Sequence, residues 1–276
     1  MGANLAENWI VSANSAKQLL EQGATFLDAR ELILKVCGTL EGAIPVTWED
    51  FSCSDAPNQG KLLENDLILT QKLQAVGIFK EQPVVVFADP IKGWGEDGRI
   101  VWMLRTLGHP NAVLVDGGYQ ALGKAGIPTV LTGKKTPPVG NFVVSRVATW
   151  EIQRDELKAN LGRENVVFID TREPREYAGE TPYGEQRGGH IPGAVHLYYK
   201  ELIDQEGKLL TDEEIFAHLQ QKGITQTSEI VNYCTGGVRA GWLTSVLTQL
   251  GFHAKNYAGS MWEWSAAPSS DYPLEI

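Results

Sequence analysis

The fold is decided by one stretch, residues 229–251, which reads Glu-Ile-Val-Asn-Tyr-Cys-Thr-Gly-Gly-Val-Arg-Ala-Gly-Trp-Leu-Thr-Ser-Val-Leu-Thr-Gln-Leu-Gly. Its first residues form a short apolar run, which is typical of a buried strand. From Val238 onward, apolar residues recur at steps of three and four, which predicts a helix that stops at Gly251. The stretch therefore predicts a strand, a glycine-rich loop that begins at Cys234, and a helix.

Cys234 lies where the backbone N–H groups of such a loop and the N-terminus of the following helix converge. Both stabilise a negative charge, so a thiol at this point ionises more readily than a free one and becomes a nucleophile. The alternative is a small, inert cysteine buried at a strand end, where free cysteines are often found. Gly236 and Gly237 favour the reactive cysteine, because they let the backbone approach a ligand closely.

The composition narrows the class of protein. The chain has 276 residues, enough for two domains, and its formal net charge of −10 argues against nucleic acid as a partner. Its three cysteines form an odd set without CxxC spacing, which argues against a disulfide framework or a zinc site and favours a reducing compartment. No basic leader and no long apolar span are evident. We therefore expect a cytoplasmic protein that does not bind membranes.

The chain also contains an internal repeat. Five landmarks of the first half recur in the second at offsets of 141 to 147 residues: Asp28 with Asp170, Pro45 with Pro192, Asp89 with Cys234, Gly108 with Gly251, and Gly118 with Gly259. In each half, short β-rich runs alternate with helical patterns, which predicts α/β domains with a parallel sheet flanked by helices on both faces. We expect tandem domains over residues 8–131 and 148–276, joined by a linker over residues 132–147 that is rich in Pro, Gly and Lys.

Four motifs of the second half together resemble the rhodanese domain. They are Asp170-Thr-Arg172, Gly189-His-Ile-Pro-Gly-Ala194, the loop Cys234-Thr-Gly-Gly-Val-Arg239, and Tyr257-Ala-Gly-Ser260. The whole chain is similar to a tandem-domain sulfurtransferase of the thiosulfate or 3-mercaptopyruvate type. The resemblance implies an inactive N-terminal domain, with Asp89 in place of the cysteine, and a catalytic C-terminal domain. It further implies that Cys234 accepts a sulfane sulfur as a persulfide and passes it to cyanide, a small thiol or a protein thiol, with no cofactor or metal.

The loop supplies the candidate binding residues. The amides of Thr235, Gly236, Gly237, Val238 and Arg239 are expected to surround the sulfur and to stabilise the anionic persulfide. The Arg239 side chain binds an anionic donor, locks the loop through a carboxylate such as Asp170 or Glu176, or lies in solvent. Arg187 is a second candidate for donor binding, with a plain surface charge as the alternative. Two further predictions are that Trp262 and Trp264 are interface or core residues, and that Cys37 and Cys53 take no part in the reaction.

The donor and the function class leave alternatives open. The third position of the loop, Gly236, has no hydroxyl to assist 3-mercaptopyruvate, while two arginines favour a small dianion, so we expect thiosulfate as donor and keep 3-mercaptopyruvate as the alternative. A cysteine phosphatase with a Cys-x5-Arg loop is a more distant possibility, because here only four residues separate Cys234 from Arg239. A non-catalytic rhodanese module that binds protein partners is another.

Overall fold

The computed structural model describes residues 5–133 and 136–276, so Lys134 and Lys135 of the predicted linker lie outside the described residues. The strands are β1 Ile10–Val11, β2 Thr25–Asp28, β3 Thr39–Leu40, β4 Ile44–Pro45, β5 Val84–Phe87, β6 Ala112–Val115, β7 Thr129–Val130, β8 Val166–Asp170, β9 Val195–His196, β10 Glu229–Tyr233 and β11 His253–Asn256. The helices are α1 Ala13–Glu21, α2 Leu32–Lys35, α3 Asp66–Ala75, α4 Glu96–Thr106, α5 Gly118–Lys124, α6 Arg154–Ala159, α7 Pro174–Tyr177, α8 Asp212–Gln221, α9 Val238–Gln249 and α10 Ser260–Ala266.

The strands form two parallel sheets, one in each half of the chain, as the alternation of β-rich and helical patterns predicted. In the described residues the first sheet has the order β1-β6-β5-β2-β4 and the second the order β11-β10-β8-β9. A small antiparallel pair, β3 with β7, was not predicted. Each of its strands has two residues, too few for an alternating pattern to be visible in the sequence.

Helices cover both faces of each sheet. In β5, Val84 and Val86 face one core and Val85 and Phe87 face another, as expected for a strand whose side chains alternate between faces. The second sheet shows the same alternation, with Ile230 in one core and Val231 in another. Burial on both faces explains why these strands are apolar at nearly every position.

One hydrophobic core is shared by the two halves. It contains α4 residues such as Trp102 and α9 residues such as Leu243, which lie on facing sides of the two sheets. Gly98 of α4 lies so close to α9 that a Cβ atom there would come within 2.7 Å of the Cβ of Trp242. The Ser245 hydroxyl also donates a hydrogen bond to the Gly98 carbonyl oxygen at 3.1 Å. The two sheets are thus held together by a close helix pair.

The second part of the predicted linker packs against the N-terminal half. The backbone amide of Gly140 donates to Gln74 O at 2.8 Å and that of Ser145 to Leu107 O at 2.9 Å. Phe142 between them is buried in the shared core. The division of the chain at residues 132–147 stays a prediction. No helix within residues 5–133 and 136–276 has the length and apolar character needed to cross a membrane.

Candidate active site

Cys234 lies at the carboxyl end of β10, where ligands bind in open parallel sheets. Three residues later Gly237 adopts φ +77° and is the N-cap residue of α9. A side chain is excluded at Gly237, because a Cβ atom there would lie 2.7 Å from the Cα of Ala258 and 2.8 Å from Nη1 of Arg99. The loop between strand and helix is therefore as short as the sequence predicted, and its tightness depends on this glycine.

The sulfur of Cys234 is buried and faces the loop. Cys234 is 1% exposed, and the backbone N–H of Gly237 donates a hydrogen bond to its Sγ at 3.1 Å. A backbone donor at that position stabilises a negative charge on sulfur, whether as thiolate or as persulfide. The contact agrees with the idea of an amide cradle, here with Gly237 as the donor.

The first turn of α10 holds the loop from the other side. The Cys234 amide donates to Oγ of Ser260 at 3.1 Å, and the Met261 amide donates to Cys234 O at 3.1 Å. The Trp262 amide donates to Thr235 O at 3.0 Å. Three hydrogen bonds with the N-terminus of α10 thus fix the backbone of Cys234 and of Thr235.

Arg239 locks the loop through Glu176 of α7, which is one of the alternatives open from the sequence. Its two terminal nitrogens donate to the Glu176 carboxylate at 2.6 and 2.9 Å, and Nη2 also donates to Thr235 Oγ1 at 2.7 Å. Arg239 is 4% exposed, which rules out an arginine in solvent. Asp170 is not its partner, since that carboxylate pairs with Arg172 at 2.7 Å.

The pair shifts the pKa of both partners. Burial alone would raise the pKa of Glu176, but the hydrogen bonds and the charge of Arg239 outweigh it and hold the pKa below its ordinary value. Burial likewise works to lower the pKa of Arg239, and the bonds to Glu176 together with the charge of Cys234 raise it instead. Both side chains are therefore charged at neutral pH and form a buried ion pair.

A cavity of about 210 Å³ opens in front of the loop. Four of the five predicted loop residues line it, together with the cysteine, aromatic side chains from both halves, and two carboxylates of the N-terminal half. The lining residues are Cys234, Thr235, Gly236, Val238, Arg239, Trp262, Tyr183, Trp48, Trp94, Glu31 and Glu49. The reactive thiol therefore faces a small, largely aromatic space that both halves of the chain enclose.

Arg187 is not brought to this cavity. Its guanidinium donates to the backbone carbonyls of Ser265, Trp264, Ala267 and Tyr272 at 2.9 to 3.0 Å. These contacts tie the end of α10 and the segment after it to the loop before Ile191. Arg187 is thus placed to hold the C-terminal segment in position.

The other predictions for single residues have different outcomes. Trp264 is a core residue, as expected, whereas Trp262 is half-buried and lines the cavity that both halves enclose. Cys37 is exposed, and burial raises the pKa of the Cys53 thiol, which makes it a poorer nucleophile. Neither cysteine lines the cavity.

The corresponding loop of the N-terminal half satisfies its own amides. Asp89 Oδ1 accepts hydrogen bonds from the amides of Ile91 and Lys92, both at 3.0 Å, and Oδ2 accepts from Gln120 Nε2 at 2.9 Å. The amides that could surround a sulfur are therefore occupied by the Asp89 carboxylate. Within the described residues, no group of three or more His, Cys, Asp or Glu side chains is placed to hold a metal ion.

The sequence did not reveal the contribution of the N-terminal half to the site. Trp94 lies in the long segment after Asp89, and its ring packs edge-on against Tyr183 with centroids 5.6 Å apart. Trp48 and Arg99 reach the loop from two other segments of that half. Local patterns cannot show such contacts, because they arise only when the two halves pack together.

Comparison with known proteins agrees with the fold and the loop. The profile of the Rhodanese-like domain matches residues 153–267. The chain is 33% identical to the thiosulfate sulfurtransferase of Azotobacter vinelandii and 31% identical to that of Pseudomonas aeruginosa, in each case covering 71% of this chain and 70% of the relative. Among solved structures, 3-mercaptopyruvate sulfurtransferase from Leishmania major matches with a TM-score of 0.78 and 23% identity, covering 94% of this chain and 75% of that one.

The similarity extends through both halves and includes the cysteine loop. The matches to the two relatives above 30% identity cover about seven tenths of each relative's length. Both are named as sulfurtransferases, and so is the solved structure with the same fold. The chain therefore belongs to the rhodanese family of sulfurtransferases.

Proposed function

We propose that this enzyme takes the sulfane sulfur of thiosulfate onto Cys234 as a persulfide and passes it to a thiophilic acceptor. The observation that carries the proposal is the hydrogen bond from the Gly237 amide to the Cys234 sulfur, made at the floor of a cavity lined by both halves. A buried thiol with a backbone donor on its sulfur and an open space in front of it is arranged for attack on a small donor.

The first step breaks one sulfur–sulfur bond and forms another. The Cys234 thiolate attacks the outer sulfur of thiosulfate, and sulfite leaves with the electron pair of the broken bond. One thiolate and one dianion give one persulfide anion and one dianion, so charge and electrons balance. In the second step cyanide or a thiolate attacks the outer sulfur of the persulfide and regenerates the Cys234 thiolate.

The loop residues stabilise the persulfide because hydrogen bonds hold the loop in a fixed position around the sulfur. The Gly237 N–H remains directed at the sulfur region throughout, because the Gly237 carbonyl is held by Asn256 Nδ2 at 3.1 Å and by the Gly241 amide at 3.1 Å. Thr235 and Arg239 keep the loop closed through Glu176. A donor that is fixed before the reaction needs no reorganisation as the charge moves from one sulfur to the next.

Thiosulfate is the donor that we propose over 3-mercaptopyruvate. The two relatives above are named thiosulfate sulfurtransferases, the cavity is small, and Gly236 offers no hydroxyl for proton transfer. Measured kcat/KM values for the two donors decide the question. A tenfold preference for 3-mercaptopyruvate, which corresponds to about 1.4 kcal/mol of transition-state discrimination, would overturn the donor assignment alone.

The contacts of Arg239 disfavour a phosphatase. Its two terminal nitrogens are engaged by Glu176 and Thr235, so they are not directed at a phosphate in front of Cys234. We also propose that the N-terminal half lacks turnover of its own, that a protein thiol can serve as acceptor, and that the enzyme is cytoplasmic. The free state of all three cysteines supports a reducing location.

Mass spectrometry tests the proposal directly. After incubation with thiosulfate, the protein should gain about 32 Da, one sulfur atom, on the peptide that contains Cys234, and cyanide should remove it. Cys234→Ser should show neither the added mass nor turnover, whereas Cys37→Ser and Cys53→Ser should keep both. Substantial turnover by the Cys234→Ser enzyme would overturn the mechanism.

A further inference from the structure

A buried arginine from the N-terminal half lies directly behind the cysteine loop. Arg99 belongs to α4 and is 1% exposed. Its Nη1 donates to Gly237 O at 3.3 Å, and its Nη2 donates to Ser52 Oγ at 3.1 Å and to Gly60 O at 2.5 Å. The guanidinium also stacks over the ring of Trp102, 4.6 Å from its centroid. It is thus fixed against the residue whose amide holds the Cys234 sulfur.

Arg99 forms no salt bridge with a carboxylate of the described residues. In the described part of the chain, no Asp or Glu oxygen lies within salt-bridge distance of its guanidinium, and its hydrogen-bond acceptors are carbonyl and hydroxyl oxygens. The other cations near the loop differ in this respect, because Arg239 is paired with Glu176 and Lys61 with Glu263. A cation buried without a counter-ion is unfavourable, so a neighbouring group that can become an anion is favoured in its charged form.

Cys234 is that neighbouring group. Burial lowers the pKa of Arg99 to about 10, and the strongest opposing influence is the charge of Cys234, followed by Glu151 and Glu49. Arg99 is therefore a cation at neutral pH, and the residue that accepts its hydrogen bond, Gly237, also donates one to the Cys234 sulfur. Other charged groups lie around this pair, namely Arg239, Glu31, Glu49, Glu151, Glu176, Glu185 and Lys61.

We propose that Arg99 is the counter-ion of the Cys234 thiolate and persulfide, a positioning residue that the N-terminal half supplies to the reaction of the C-terminal half. It acts through its charge and through the Gly237 peptide. The inference deepens the proposed function and rests on Cys234 as the reacting thiol. It assigns the N-terminal half a part in the chemistry even though that half lacks a cysteine of its own at Asp89.

The same helix offers a matched control. Arg105 is also buried, at 2% exposure, also lacks a carboxylate partner in the described residues, and donates to backbone carbonyls such as Ala112 O at 3.0 Å. Burial lowers its pKa to about 10 as well, but the charge of Cys234 has no part in that shift. Arg99→Gln and Arg105→Gln therefore remove equally buried cations from one helix, and only the first removes a cation beside the loop.

The test is the pH dependence of Cys234 alkylation by iodoacetamide. The full chain is used with Cys37 and Cys53 changed to Ser, after cyanide treatment has removed any bound sulfur. In Arg99→Gln the midpoint of the rate profile should move up by about one pH unit or more, as expected when a neighbouring opposite charge is lost. Arg99→Lys should recover a large part of the shift, and Arg105→Gln should leave the midpoint in place. Coincident profiles for Arg99→Gln and the parent would overturn the proposal.

A second measurement needs no substitution at Arg99 and covers the case that the Gln variant fails to fold. A thiolate stabilised by a buried cation adds stability to the folded state once the pH is high enough to ionise it. The difference in free energy of unfolding between the parent and Cys234→Ala should therefore widen from pH 5 to pH 9. A difference that stays constant would overturn the role of Arg99. Neither measurement uses turnover, so their outcome is separate from that of the sulfur-transfer assay.

Discussion

The hydroxyl of Ser260 accepts a hydrogen bond from the backbone amide of Cys234 at 3.1 Å and donates one to Tyr257 O at 2.6 Å. Ser260 is fully buried and has φ +48°, a left-handed backbone conformation that residues other than glycine rarely adopt. The strained residue is thus the one that fixes the backbone of the reactive cysteine. The surrounding first turn of α10 keeps it in that conformation.

Ser260→Ala should lower both stability and turnover. It leaves the Cys234 amide without an acceptor and keeps the strained backbone, so we expect a loss of about 1 to 3 kcal/mol in urea unfolding and a lower kcat. Ser260→Gly also removes the hydroxyl but adopts φ +48° without strain, and should be less destabilised than the alanine variant. Equal stabilities for the two variants, with kcat unchanged, would contradict this account.

Glu176→Gln should be strongly destabilising, because it leaves the buried guanidinium of Arg239 without a counter-charge. The expected loss is about 3 to 5 kcal/mol of unfolding free energy. Since the pKa of Glu176 lies below its ordinary value in the folded state, the parent keeps this stabilisation above about pH 4.3 and loses it as the pH falls further. The variant should lack that acid dependence.

A suitable control for the Glu176 variant is Glu206→Gln. Glu206 pairs with Lys124 at 2.8 Å, but both side chains are more than 60% exposed. The change should therefore leave the unfolding midpoint unchanged, since exposed ion pairs contribute little. A control as destabilised as Glu176→Gln would show that burial is not the reason for the effect.

Glu96→Gln should stabilise the protein at alkaline pH. Burial raises the pKa of Glu96 to about 8, and its Oε1 has no hydrogen-bond partner in the described structure. The folded state therefore holds a proton that the unfolded state has released, and stability falls between about pH 4.3 and pH 8 by about 1.4 kcal/mol per pH unit. The variant should lose this slope.

Urea unfolding at several pH values checks the prediction for Glu96. Asp97, whose pKa burial raises to about 6, adds a slope of the same sign at lower pH, so measurements between pH 6.5 and 8 separate the effect of Glu96 from that of Asp97. Glu41→Gln, at an exposed position in the same half, should retain the parental slope. An identical slope in Glu96→Gln would show that the carboxyl is ionised in the folded protein.

Gly98→Ala should weaken the packing of the two halves. A Cβ atom at Gly98 would overlap α9 at Trp242, and relieving the overlap requires the helices to separate, so we expect a loss of about 1 to 3 kcal/mol. Gly123→Ala is the matched control in α5, where a Cβ atom would meet nothing within 4 Å. It should raise stability by about 0.5 to 1 kcal/mol. Thermal unfolding of both variants separates the steric effect from helix propensity.

The elements that carry Cys234 were predictable because their signal is local. The apolar run before the cysteine corresponds to β10, and the spacing of apolar residues from Val238 onward corresponds to α9. Of the two glycines predicted to let the backbone approach a ligand closely, Gly237 is the one with a positive φ, +77°. Strand, turn and helix signals all lie within about 20 residues of one another, so tertiary packing did not need to be known.

The partners of the arginines were not predictable in the same way. The spacing in the loop showed that Arg239 lies near Cys234, but only the fold shows that Glu176 rather than Asp170 is its partner. Arg187 was placed at the donor site from its neighbours in sequence, whereas carbonyls of residues 264–272 determine its direction. No sequence pattern indicated a role for Arg99, because its neighbours are those of an ordinary arginine in an apolar helix.

The shared core between the two halves has a consequence for synthesis of the chain. The wall in front of Cys234 combines Trp48 and Trp94 with Trp262, which are separated by more than 160 residues in sequence. During translation the N-terminal half therefore leaves the ribosome with the α4 face uncovered, because α9, which packs against α4, is synthesised later. The site around Cys234 is thus complete only in chains whose two halves have packed against each other.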